Sequence, residues 1–317
     1  MNIQDAIDEY VAWRRSHGAK FHTQAVHLKG FVRKVGGDIH CDAVERSDVL
    51  DFLPGNGPLT LTRSNRYHAL NGFYRYAISR GHAARSPVPP PETEPRRPDP
   101  ARPYIYSREE LLRLFGAIDT ALEGNVKLDA HTMRALLLLL YGAGLRFREA
   151  QGLALDDVDL PNAVLTIRES KFYKSRLVPI GPTLVDALGA YAAMRAERPF
   201  PEGRASSFLA YLDGNPLRWH ASRSGFVKVL RGAGIHHDPA GGRQTPRMHA
   251  LRHSAAVHRV VSWYREGADV QRLLPVLSTW LGHAMLRDTQ VYLSMTPELL
   301  NEASARFDDY VNGGRDE

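Results

Sequence analysis

Apolar residues recur at intervals of three and four along four stretches of the first part of this chain, 3–16, 23–35, 46–53 and 61–80. That spacing lines one face of an α-helix, and glycines together with a PGNGP turn at residues 54–58 separate the stretches. This part therefore reads as helices only. In its last stretch Leu70, Phe73 and Ala77 share a core face, while Arg63, Arg66 and Arg75 fall elsewhere. These arginines are either a solvated face or a surface that contacts phosphate.

The pattern changes between Ser86 and Pro103, where 18 residues hold eight prolines and several charges. Such a segment forms neither a helix nor a central strand, so residues 87–103 are expected to be an extended linker. At about 3.1 Å per residue it reaches on the order of 55 Å, enough to pass around a DNA duplex. The chain thus divides into a helical domain, 1–86, and a second domain, 104–317.

Helical periodicity resumes at Ser107, which precedes REELLRLFGAI with Glu110 three residues on, the pattern of a capping box. A buried helix follows through Leu140. Two short runs rich in β-branched residues, 163–168 (AVLTIR) and 176–180 (RLVPI), flank ESKFYKS and predict a hairpin with a lysine-bearing tip. Helices are expected over 183–198, 222–231, 250–264 and 270–280, then a short one carrying Tyr292. A tail helix, 297–311, places Leu299, Leu300, Ala303 and Phe307 on one side, either packing within the chain or docking into a neighbouring protomer. The fold class is mainly α with a small antiparallel β-sheet in the second domain.

Composition narrows the functions. A chain of 317 residues with a 43% hydrophobic fraction buries a sizeable core and suits two domains. Its formal charge of +6 favours a polyanion, nucleic acid before an anionic membrane surface. Cys41, the single cysteine, excludes an intramolecular disulfide framework and a cysteine-cluster metal site, and fits a reducing compartment. The amphipathic N-terminus does not resemble a signal peptide, and the longest apolar run, ALLLLLY, is too short to span a bilayer. A cytoplasmic protein with no membrane association is expected.

The chemistry-bearing residues lie in the second domain. Tyr292 follows His283 by nine residues, and Arg252 precedes that histidine by thirty-one. A phosphodiester under attack gains charge on its non-bridging oxygens, so it needs fixed cationic donors, and arginine supplies a planar fork that stays charged. Arg146 in GAGLRFREA is one candidate, with Glu149 a helical turn later; the pair also suits a plain surface ion pair. His249 and Arg252 share a face near a helix N-terminus, where an anion is favoured. His249 and His253, at i and i+4, also have a metal-ligand spacing, but the glutamate of an HExxH helix is missing. A phenol with pKa near 10 is roughly 0.1% ionised at pH 7, a deficit of about 4 kcal/mol for arginines and a histidine to offset. A departing 5′-oxygen needs a proton, for which Lys171 and Lys174 are the candidates.

GLRFREAQGL, ESKFYKSRLVP, HALRHS, LGH and the downstream Tyr292 occur in an order that resembles the tyrosine recombinase (phage integrase) family, across nearly all of residues 104–317. The helical reading of 1–86 resembles the family's N-terminal core-binding domain. The resemblance implies that Arg146 and Arg252 clamp the scissile phosphate while Tyr292 attacks it to form a 3′-phosphotyrosyl link. It further implies that Lys171 is the general acid, His249 the proton acceptor for Tyr292, His283 a hydrogen-bond donor to the phosphate, and Glu149 a buttress of the arginines. It implies no cofactor, metal or nucleotide, and a homotetramer on double-stranded DNA carrying paired recombination sites, with a Holliday junction as intermediate and accessory recombinases as further partners. The hairpin tip reads SKFYK where the family commonly has GKGxK, which leaves Lys174 as an alternative to Lys171. The long stretch before LGH resembles members carried by transposable elements. Two other readings stand beside this one, a type IB topoisomerase-like enzyme and a DNA-binding protein of the same fold that does not cut.

Overall fold

The computed structural model describes residues 1–53, 61–90, 103–168, 175–201, 203–236, 245–294 and Ser304. The chain forms two compact units, 1–99 and 100–317. The first is helical, with α1 (Ile3–Ser16), α2 (His22–Val35), α3 (Arg46–Phe52) and α4 (Leu61–Ser79). Asn2 caps α1 by accepting from the Asp5 amide at 2.8 Å, and Asp48 accepts from the Glu45 amide at the start of α3 at 2.9 Å. Ile3, Ile7, Leu28, Phe31, Leu70 and Phe73 are buried together in its core, and Cys41 is buried as well.

The expected linker begins later than its prolines suggest. Ala83 and Pro89 are buried, and the Tyr67 hydroxyl donates to the Pro89 carbonyl at 3.1 Å, so residues 87–90 belong to the first unit. The rest of the proline-rich stretch, 91–102, lies outside the described residues. Of the three α4 arginines, Arg66 lies over the Phe52 ring at 4.8 Å and donates to the Phe52 carbonyl at 3.0 Å, so it packs α4 against α3. Arg75 is exposed, and nine residues at about 100° each set it half a turn from Arg66. The arginines therefore do not share one face.

The second unit opens with α5 (Arg108–Gly116), closed by the expected capping box between Ser107 and Glu110. Then come α6 (Ile118–Leu122), α7 (Ala130–Tyr141) and α8 (Phe147–Gln151), the last too short for a periodic signal. Three antiparallel strands follow in the order β1 (Val158–Asp159), β2 (Val164–Ile167), β3 (Arg176–Pro179), with Leu165 opposite Val178 and Ile167 opposite Arg176. The hairpin is as expected; β1 is an addition, since its two residues are too few to alternate. Helices α9 (Pro182–Ala196), α10 (Trp219–Gly232), α11 (Met248–Arg265), α12 (Val270–Leu281) and α13 (Arg287–Gln290) complete the unit, followed by a 3-10 turn, Val291–Ser294.

Helix α7 is apolar on most sides and packs against α6, α8, α9 and α11. Met133, Leu136, Leu137, Leu139 and Leu140 are buried there, each contributing about 1.5 to 3 kcal/mol. This core fixes α11 and the loop into α8, the two segments that carry Arg252 and Arg146. Among the described residues no helix is long and apolar enough to cross a membrane. The expected tail helix lies outside the described residues apart from Ser304.

Candidate active site

The C-terminus of α12 leaves carbonyls without helical partners, and three consecutive ones are each taken by a different arginine. Arg176 Nε donates to the Trp280 carbonyl at 3.0 Å, Arg252 Nη2 to that of Leu281 at 2.5 Å, and Arg146 Nη2 to that of Gly282 at 2.9 Å. These residues come from β3, α11 and the residue before α8, so long-range packing gathers them around one turn. Two glycines permit the approach. Gly282 has φ +65°, and a Cβ there would stand 2.8 Å from the Arg176 guanidinium; Gly144 has φ +60°, and its Cβ would stand 2.5 Å from the Trp280 ring. The Gly144 carbonyl also accepts from Arg252 Nη1.

One carboxylate serves all three arginines. Glu149 lies 2.7 Å from Arg146, 2.9 Å from Arg176 and 3.8 Å from Arg252. Burial resists ionisation of Glu149, but hydrogen bonds and charge from Arg176, then Arg146, outweigh it and hold the carboxyl at about 2. Burial pulls Arg252 down to about 9, with the charge of Arg146 adding to the effect, and it remains charged at neutral pH. Three positive groups around one negative group leave an excess of two positive charges, the electrostatics of an anion site.

Tyr292 sits beside this cluster on the 3-10 turn after α13, in a buried apolar cluster that also holds Val257, Val261, Leu277 and Leu281. Its hydroxyl lies 3.1 Å from His253 Nδ1, and its ring stacks on His283 at 6.0 Å between centroids. The Nδ1 atom of His283 pairs with Thr289 Oγ1 at 2.7 Å, which ties the LGH turn to α13. Burial and the neighbouring positive charges lower His253 to about 3 and His283 to about 4, so both are neutral at pH 7. Burial raises Tyr292 and the charges of Arg252 and Arg146 oppose this, leaving a neutral phenol. Only 2% of Tyr292 and 1% of Arg252 is exposed.

The structure thus brings together Arg146, Glu149, Arg252, His283 and Tyr292. The place expected for His249 differs: the imidazole on the Tyr292 hydroxyl is His253, and the His249 ring packs edge-on against His253 at 4.6 Å. His249 and His253 lie one turn apart on the same side of α11, about 40° around and about 6 Å along the axis, so the height at which packing seats Tyr292 along the helix decides which imidazole meets its hydroxyl. Lys171 and Lys174 lie outside the described residues. Arg176 lies within the ESKFYKSRLVP run, but the run does not mark it as a site residue, since the Trp280 carbonyl it binds lies 104 positions away. Among the described residues no group of three or more histidine, cysteine or acidic side chains is arranged to hold a metal ion.

Residues 106–298 match the model of the phage integrase family. The chain is 35% identical to a putative integrase/recombinase, y4rE, of Sinorhizobium fredii, over 98% of this chain and 97% of that protein. It is 30% identical to the tyrosine recombinase XerA of Thermococcus kodakarensis, over 95% of each. Its fold resembles that of lambda integrase, solved as a tetramer bound to a Holliday junction, with a TM-score of 0.63 at 15% identity over 91% of this chain and 77% of that one. The chain belongs to the phage integrase family, the tyrosine recombinases. It is a tyrosine-type site-specific recombinase that cleaves and rejoins DNA.

Proposed function

We propose that Tyr292 is the nucleophile of this strand cleavage and forms a 3′-phosphotyrosyl link at a phosphate held by Arg146 and Arg252. The observation that carries this reading is the Tyr292 hydroxyl beside an arginine cluster with two surplus positive charges. An incoming phosphodiester supplies the missing anion, and the guanidinium forks then meet the charge that develops on its non-bridging oxygens. Burial first, and then nearby positive charge, keeps His253 and His283 unprotonated; the same anion offsets the charge and raises the basicity of both. His253 takes the phenolic proton with His249 packed behind it, and His283 hydrogen-bonds the phosphate. Lys171 protonates the departing 5′-oxygen, with Lys174 as the alternative donor. Tyr292 and Arg252 are buried, so a phosphate reaches them only if this cluster opens.

The phosphotyrosyl link retains the energy of the broken bond, so resealing by a 5′-hydroxyl needs neither nucleotide nor metal. Four copies acting on two paired sites exchange strands through a Holliday junction in the cytoplasm, a reading supported by the lambda integrase tetramer that shares this fold. Arg63, Arg66 and Arg75 are the proposed phosphate contacts of the first unit, Arg75 the most accessible and Arg66 the least, given its hold on Phe52. A nicked suicide substrate, whose cut releases a short fragment and traps the intermediate, tests the chemistry. Wild-type protein in EDTA is expected to accumulate a covalent DNA adduct, and Tyr292→Phe to bind DNA without forming one. A chemical step that strictly requires Mg²⁺ contradicts the reading.

A further inference from the structure

Arg176 is 10% exposed, and all three of its guanidinium nitrogens are engaged within the protein. Nη1 and Nη2 donate to the two Glu149 oxygens at 3.1 and 2.9 Å, and Nε donates to the Trp280 carbonyl at 3.0 Å. Arg146 contrasts with it: 26% of its side chain is exposed, and it contributes one nitrogen to Glu149 and one to the Gly282 carbonyl. The two arginines thus grip the same carboxylate and the same helix end, one buried beneath the site and one facing outward. Gly282, with no side chain, closes the space over the Arg176 guanidinium.

We propose that Arg176 is a positioning residue for strand cleavage: by pinning Glu149 and the end of α12 it fixes the fork of Arg146 and the turn bearing His283, without itself touching the DNA phosphate. This rests on the cleavage reading above. A carboxylate bound by a planar fork has one orientation, and Arg146 inherits that orientation through its own bond to Glu149. Lysine carries the same charge but is a point donor that cannot bridge two carboxylate oxygens and a carbonyl together.

The test is single-turnover cleavage of the nicked substrate by the full-length chain, with either an ordinary phosphate or a neutral methylphosphonate at the scissile position, beside measurement of DNA affinity. Arg176→Lys and Arg176→Met are expected to slow cleavage of the ordinary phosphate on the order of 100-fold, the scale of a misplaced reacting group, with DNA affinity unchanged. The loss is expected to shrink on the methylphosphonate, which offers one non-bridging oxygen fewer for the arginines to meet. The Glu149→Gln/Arg176→Met protein, which removes both charges of the pair, is expected to be no slower than the slower single variant, since both act through one contact. A wild-type rate in the variants, an equal loss on both substrates, a loss of DNA affinity that accounts for the rate, or additive losses in the double variant would each overturn the proposal. Wild-type protein that forms no adduct at all overturns the cleavage reading and the proposal with it, an outcome distinct from an active wild type with unaffected Arg176 variants.

Discussion

Glutamate 149 is the carboxylate that contacts all three arginines, and its replacement by glutamine measures what that charge contributes. The amide keeps the shape and one oxygen acceptor, but it loses the charge and turns an NH₂ group toward a guanidinium. In the folded chain the carboxyl titrates at about 2 against an ordinary 4.5. At about 1.36 kcal/mol per pH unit, that difference corresponds to about 3 kcal/mol of stability at neutral pH. Breaking a buried pair by removing one partner costs a similar about 3 to 5 kcal/mol. Because the folded value is depressed, this stability is complete above the unfolded value of 4.5 and is lost as pH falls to about 2. Urea unfolding followed by tryptophan fluorescence reads it, since Trp219, Trp263 and Trp280 lie in the second unit and Trp13 in the first. Glu149→Gln is expected to lower the stability of the second unit by about 3 kcal/mol at pH 7 and by only about 1 kcal/mol at pH 3. A variant as stable as wild type at pH 7, or a difference that does not change with pH, would refute the electrostatic argument.

Two further outcomes follow from the same cluster. Gly282→Ala adds a Cβ in the left-handed region, costing about 1 to 2 kcal/mol, and meets the Arg176 guanidinium at 2.8 Å; thermal melting should show the stability loss, and the suicide substrate a slower cleavage than wild type. His253 and His283 titrate below the ordinary 6.5, at about 3 and about 4, so the unfolded chain binds more protons and stability falls as pH drops from 6.5 towards those values. Replacing both with glutamine should flatten that limb of the melting-temperature profile, and an unchanged slope would show that the histidines are not buried neutral.

Much of the fold is legible because its signals are local. The Ser107 cap, the periodicity behind α1 and α11, and the paired β-branched runs of the hairpin each lie within a few residues of one another. The motif residues Arg146, Glu149, Arg252, His283 and Tyr292 are equally readable, since each belongs to a short recognisable run. What escaped the sequence depends on distant packing. Arg176 reads as an ordinary strand residue until α12 brings the Trp280 carbonyl to it, and the choice of His253 over His249 at the tyrosine depends on where along α11 long-range packing seats the turn that carries Tyr292. The proline-rich stretch reads as linker throughout because proline content reports what cannot form, and leaves unsaid that Tyr67 holds its first residues.

The account stands on Tyr292 as the atom joined to DNA. Protease digestion of the adduct trapped on a nicked substrate in EDTA, followed by mass spectrometry of the DNA-linked peptide, locates that bond. The expected result is a single peptide spanning α13 and the turn after it, with a 3′-phosphate on the Tyr292 hydroxyl and no such species from Tyr292→Phe. A DNA link on any other residue, or an adduct that persists in Tyr292→Phe, would contradict it.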